Sequence, residues 1–379
     1  MRKITWIPLV ILIVGVCLAG TGWAMGGHKI NNVGVYWQNG LHISGVDSSG
    51  KIGKLVKLDE SYKANDVQAI ELDVDYLDYV TIKAGEAGSD IKVVGVNYEE
   101  YGGLKSNLTG NKLFVSSKAH RDDRHFVFNF GLFPDSEKCY LEITVPEDLI
   151  LENLEAKIDA SSITIRDLEC VTSVIDNDYG DIELTEIKSG DMKIKANAGK
   201  IDASTITVAR LLEIDNDFGN IKLSSIDAGD ISIEADAGRI EMNTVTSKGY
   251  LQVDNNFGDV RAKDIQASDM NVDLDAGQMI FERVITNTAK IESNYGDINF
   301  DRITLNGFCE VKNDSGNVTF GLTNDESEVG YELKADVGSI SVGGRSNTSI
   351  DNVSQNVING TTQIDIKNNF GSITLEFGR

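Results

Sequence analysis

A glycine recurs at positions 180, 199, 219, 238, 258, 277, 296 and 316, so that successive steps are 19 or 20 residues. Units this short carry too little apolar surface to close a core alone, and a chain punctuated in this way must stack its units on one another. Asp or Asn stands two residues before each glycine: Asp178, Asn197, Asp217, Asp236, Asn256, Asp275, Asn294 and Asp314. Asx side chains satisfy local backbone donors and glycine takes positive φ without a Cβ clash, so the pair is expected to bend the chain at the same place in every repeat.

Apolar residues flank the bend with strand parity. Ile175, Ile194, Ile214, Ile233, Val253, Val272, Ile291 and Val311 stand five before it, and Ile182, Ile201, Ile221, Ile240, Val260, Met279, Ile298 and Val318 two after. Further apolar sites follow at plus four and plus seven, such as Leu184 and Ile187. Stacked coils would bury these faces in one column. The pattern predicts an all-β fold, a parallel β-solenoid (β-helix) of about ten coils, with coils 4.8 Å apart and a rod about 50 Å long.

The residue just before the glycine alternates large and small: Tyr179, Ala198, Phe218, Ala237, Phe257, Ala276, Tyr295, Ser315. The repeating unit is therefore two coils. If that position points into the corner, each ring fills space left by the small residues above and below. The alternative is a ladder of exposed rings suited to stacking on sugars.

The remaining organisation is read from composition and flanks. Arg2 and Lys3 precede an apolar run from Ile4 to about Ala24 with small residues at its end, which reads as an export signal. It is long enough to span a bilayer as a retained hydrophobic helix, leaving everything after Gly26 outside, or it is a cleaved signal with its apolar core between Trp6 and Leu18. Lipidation of Cys17 is disfavoured by Val16. We expect residues 1–26 as anchor, 27–65 as tether with strand-like pieces at Val33 to Trp37 and Leu41 to Ile43, 66–152 as a smaller β-domain or cap, and 153–379 as solenoid. The polar stretch 343–362 is expected to be an inserted loop, and the strand Ile373 to Phe377 to be the last coil, either shielded by that loop or a docking edge.

The net charge of −24 disfavours nucleic acid and anionic lipid as partners. Cys139, Cys170 and Cys309 are odd in number and widely spaced, signalling neither a disulfide framework nor zinc. His28, His42, His120 and His125 do not cluster with metal-ligating residues. Asp176, Asp178, Asp215, Asp217 and Asp254 would lie along one edge and suit calcium, yet their spacing matches neither an EF-hand loop nor the calcium-binding nonapeptide. Asn107, Asn317, Asn347, Asn352 and Asn359 begin glycosylation-type triplets of the kind a chain rich in Asn, Ser and Thr contains by chance. No catalytic, cofactor-binding or metal-ligating residue is assigned, and no cofactor is expected. A carbohydrate-active β-helix enzyme would need a groove built by long loops between coils, and the coil length barely varies.

The element hydrophobic-x-Asn-Asp-Tyr/Phe-Gly-Asp-Ile-x-Leu, seen in Ile175 to Leu184, Ile214 to Leu223 and Val253 to Val260, resembles a bacterial envelope family of β-strand repeats regarded as candidate adhesins. Gly34-Val35-Tyr36-Trp37-Gln38-Asn39-Gly40 after the apolar run also looks like the start of its Gram-positive members. The resemblance implies fold and an extracellular, membrane-held location; it defines no functional residue. It implies an adhesin or scaffold that binds envelope polymers or a protein partner, or an accessory of envelope-stress sensing, since some relatives sit beside such systems.

Overall fold

A computed structural model describes residues 30–37, 41–47, 55–99, 102–117, 125–128, 138–356 and 362–379. The hydrophobic helix expected over 1–26 lies outside them, as do Cys17, His28 and His120. Among the described residues no helix is long and apolar enough to cross a membrane. Short 3-10 turns at Ala64–Asp66 and Glu326–Glu328 interrupt the strands, and the described residues are otherwise almost entirely β.

The leading strands are β1 (Ile30–Trp37), β2 (Leu41–Asp47), β3 (Leu55–Tyr62), β4 (Ala69–Val74), β5 (Tyr79–Gly85), β6 (Ile91–Tyr98), β7 (Lys105–Thr109), β8 (Lys112–Ser117), β9 (His125–Phe128), β10 (Tyr140–Pro146) and β11 (Ile150–Ala160). β1 pairs antiparallel with β2 and β9. The others feed the rod: β4 lies parallel to β8 and β11, and β5 parallel to β10 and to the strand after β11. Hydrogen bonding and the apolar core therefore run without a break from residue 58 to the last coil.

The coils follow as β12 (Ser162–Tyr179), β13 (Ile182–Ala198), β14 (Ile201–Phe218), β15 (Ile221–Ala237), β16 (Ile240–Phe257), β17 (Val260–Ala276), β18 (Met279–Tyr295), β19 (Ile298–Leu305), β20 (Phe308–Ser315), β21 (Val318–Leu322), β22 (Val329–Val342), β23 (Arg345–Asn356), β24 (Thr362–Phe370) and β25 (Ile373–Glu376). Up to β21 each pairs in parallel with the next coil, giving a solenoid of about nine turns where the sequence suggested ten. The apolar ladders at minus five, plus two, plus four and plus seven are buried. Phe281, Phe300 and Phe320, at plus four on three consecutive coils, stack in the core with centroids 4.5 Å and 4.8 Å apart.

Each coil turns three times. The first corner is the glycine, and it needs glycine for a steric reason: a Cβ on Gly238 would stand 1.9 Å from the carbonyl oxygen of Gly219 in the neighbouring coil. The second bend has no glycine. Asp167, Glu186, Thr205, Ser225, Thr244, Asp264, Arg283 and Arg302 take it with φ between 56° and 58°, each at a cost of about 1 kcal/mol. At the third, the register slips between Ser189 and Met192 and between Val208 and Leu211, so the extra residue of a 20-residue coil is absorbed there and the other two corners stay aligned.

The Asx residues two before the glycine do not make the bend as expected. They bond to one another across coils, as in Asn197 to Asp178 at 2.6 Å and Asn256 to Asp236 at 2.8 Å. On the Tyr179 and Phe257 coils the bend is held instead by a buried Asn three before the glycine. Asn177 donates to the carbonyls of Ser161 and Gly180 at 3.1 Å and 3.0 Å, and Asn255 to those of Gly238 and Gly258 at 3.3 Å and 3.2 Å.

The end of the rod departs from chain order. β24 and β25 are not a terminal edge: they lie between β20–β21 on one side and β22 on the other. β22, earlier in sequence, forms the last full layer, and β23, within the stretch expected to be a loop, covers it antiparallel. The two-coil rhythm accounts for this order. The coil ending in Ser315 is of the small type and requires an aromatic one beside it. Asn368-Asn369-Phe370-Gly371 supplies that coil, and Ala335-Asp336-Val337-Gly338 follows with no ring before its glycine. Asn368 bonds the Gly316 carbonyl at 2.9 Å and Asn369 bonds Asp314 at 2.8 Å.

Candidate binding edge

Tyr179, Phe218, Phe257, Tyr295 and Phe370 end their strands at the glycine corner, and all five are 62% to 68% exposed. This overturns the expectation that they fill the corner. Inward and outward positions alternate up to three before the glycine, and the corner then turns three successive side chains outward before burial resumes two after it. Parity counted straight through the bend points the ring the wrong way. The alternation of ring and alanine was legible as a signal; its direction was not.

Parallel in-register pairing makes the row straight. Tyr179 pairs with Ala198, Ala198 with Phe218, Phe218 with Ala237, and so on through Ser315 to Phe370. Successive rings stand two coils, about 9.6 Å, apart. Rings on adjacent core coils stack closely; on this edge a small residue separates successive rings, and each ring is largely exposed.

Polar rows flank the rings. One residue before the ring run the Asp and Asn side chains paired across coils. Two residues after it, Asp181, Asn220, Asp259 and Asp297 accept hydrogen bonds from the backbone N–H groups of Lys200, Arg239, Gln278 and Asn317 on the next coil, at 2.7 Å to 3.2 Å. The side chains of Lys200, Arg239 and Gln278 are exposed on the alanine coils, alternating with the rings. Burial, and then the nearby charges of Asp159 and Asp176, raise the pKa of Asp178. Burial followed by repulsion from Asp275 and Asp236 does the same for Asp254, which lies four before its glycine.

The calcium candidates Asp176, Asp215 and Asp254 fall on alternate coils with Lys195 and Glu234 between them. Among the described residues no three His, Cys, Asp or Glu side chains stand together as a metal cluster. Cys139, Cys170 and Cys309 are buried free thiols, and burial pushes all three upward in pKa. Two open hollows mark other faces. One of about 490 Å³ is lined by Thr244, Asp264, Arg283, Ile285 and Arg302, where the Arg283 guanidinium, 2.6 Å from Asp264, holds that carboxyl below its usual range. The other, about 370 Å³, lies between Tyr250, Asn271, Lys290 and Phe308.

Residues 67–255 and 208–376 match the Toastrack DUF4097 family, two overlapping matches that together span most of the chain. The chain belongs to this family. Toastrack DUF4097 is thus the β-strand-repeat family that the Asn-Asp-Tyr/Phe-Gly element resembles. Similar solved structures are a candidate cell adhesion protein from Clostridium sporogenes (10% identity, covering 86% of this chain and 100% of that one, TM-score 0.20), a candidate adhesin from Parabacteroides distasonis (11%, 86% and 98%, 0.32) and one from Bacteroides fragilis (11%, 85% and 97%, 0.21). No curated protein matches the chain.

Proposed function

We propose that the chain is a non-enzymatic binding module of the bacterial cell envelope, held at the outer face of the membrane by residues 1–26, and that it lays an extended polymer along the ring row. The observation that carries this reading is the exposure of five rings in one line at a fixed interval. Large apolar groups left in water in contiguous rows mark interaction surfaces, and flat rings with polar neighbours suit a partner that is apolar on one face and wet at its rim. Among the described residues, β12 to β18 are joined without long loops from which to build a deep groove. Asp264, the carboxylate in the larger hollow, is bound by Arg283 and poorly placed to accept a proton. The charge of −24 favours neutral or cationic partners over anionic ones.

The test is a triple variant, Phe218→Ala, Phe257→Ala and Tyr295→Ala. These rings project into solvent, so the unfolding free energy should change by less than about 1 kcal/mol. Co-sedimentation with native envelope polymer should fall at least tenfold. Undiminished sedimentation of the variant would remove the edge as the binding site.

A further inference from the structure

The geometry points to a β-1,4-linked N-acetylhexosamine chain, lying along the rod, as the polymer that the ring row holds; this rests on the reading of the row as a binding edge. Three features of the edge select it.

The first is repeat. In a β-1,4-linked pyranose chain neighbouring units are turned over relative to each other, so the same face returns every second unit. That two-unit repeat is close to the two-coil interval of the rings, about 9.6 Å. Each ring from Tyr179 to Phe370 can then meet an equivalent sugar face. The row covers eight coil steps, about 38 Å, the reach of roughly eight units.

The second is hydrogen bonding. A polyproline II peptide repeats every three residues, about 9.3 Å, so spacing alone would admit a proline-rich strand. The row beside the rings excludes it on chemistry. Asp178, Asp236, Asp275 and Asp314 accept one bond each from a neighbouring Asn at 2.6 Å to 2.8 Å and keep further acceptor capacity. Prolines have no N–H to offer them, and carboxylates covered without donors are costly. Hydroxyl and acetamide N–H groups supply those donors. On the other flank Lys200, Arg239 and Gln278 present donors to hydroxyl and acetamide oxygens. An acetamido chain meets both kinds of group along the row with amide as well as hydroxyl groups, which a plain glucose chain does only through hydroxyls.

The third is preorganisation. Cross-coil Asn–Asp bonds hold one flank; on the other, backbone N–H groups fix Asp181, Asn220 and Asp259, while Lys200 and Arg239 lean on Asp202 and Glu241. Little side-chain freedom remains to be lost on binding.

The test is calorimetric titration of the full-length protein with β-1,4-linked N-acetylglucosamine oligomers of two to eight units, with glucose oligomers of the same linkage and length, and with a proline-rich peptide. Affinity should rise with every added pair of units, roughly three- to tenfold per pair, and level off once the row is covered. Glucose oligomers should bind at least tenfold more weakly, and the triple ring variant should lose the length dependence. Affinity independent of length, or equal or tighter binding of the glucose oligomers or the peptide, would overturn the assignment. If no oligomer binds while the wild type, and not the ring variant, still sediments with native envelope polymer, the glycan class is wrong and the binding edge stands. If the ring variant sediments as well as the wild type, both fall.

Discussion

Replacing Gly238 with alanine is expected to destabilise the rod by at least about 3 kcal/mol. Two effects add. At φ +147° an L side chain is strained in any surroundings, and here its Cβ would overlap the Gly219 carbonyl oxygen at 1.9 Å. Neither coil can move aside, because Gly238 donates to Phe257 at 2.9 Å and Gly219 to Ala237 at 3.0 Å in the same ladder. Gly110 is the control: it also has positive φ, but a Cβ there would meet nothing within 4 Å, so Gly110→Ala should cost only about 1 kcal/mol. Urea unfolding of the two variants measures the difference. Equal losses would mean that the glycine column is a conformational preference and not a contact between coils.

Deleting residues 362–379 is expected to disorder more than the deleted strands. Ile364, Ile366, Ile373 and Leu375 are fully buried between two layers, and burial of each is worth about 1.5–3 kcal/mol. Their removal uncovers β20 and β21 and takes from β22 its parallel neighbours β24 and β25, leaving β22 and β23 as an isolated hairpin, a unit of marginal stability in water. Hydrogen exchange should show protection lost throughout 308–356 and kept in β12 to β17. Were the coils stacked in chain order, β22 would keep its protection and only the tip would fray.

The parts of this fold legible in the sequence are those where one physical cause acts identically in every coil. The glycine column, the apolar ladders at minus five and plus two, and the two-coil rhythm each repeat without exception through eight coils. What escaped depends on geometry between coils. The αL bend at Thr205 or Thr244 uses whichever residue occurs there, so composition does not mark it. The buried Asn177 and Asn255 sit one residue from the conspicuous Asx row and alternate with Ala196 and Ala235, which hides them in a scan for a constant residue. The outward turn of Tyr179 follows from a corner that interrupts strand parity. The placement of β24 ahead of β22 was foreshadowed by Asn369-Phe370-Gly371, whose aromatic type fits beside Ser315, but a reading in chain order passes over it. The expected anchor, 1–26, and the histidines His28 and His120 lie outside the described residues.

Coils that rise in equal steps carry the rings in one straight row. Distances between spin labels on the small residues of that row test it most directly. Cys139, Cys170 and Cys309 are buried and will not take label, so Ala198→Cys paired with Ala276→Cys or Ser315→Cys, in a Cys17→Ser background, is sufficient. Four and six coil steps predict separations of about 19 Å and about 29 Å between the backbones at these sites, in the ratio of two to three. Separations that do not grow with the number of coils between the labels would contradict the stacked rod and the binding edge built on it.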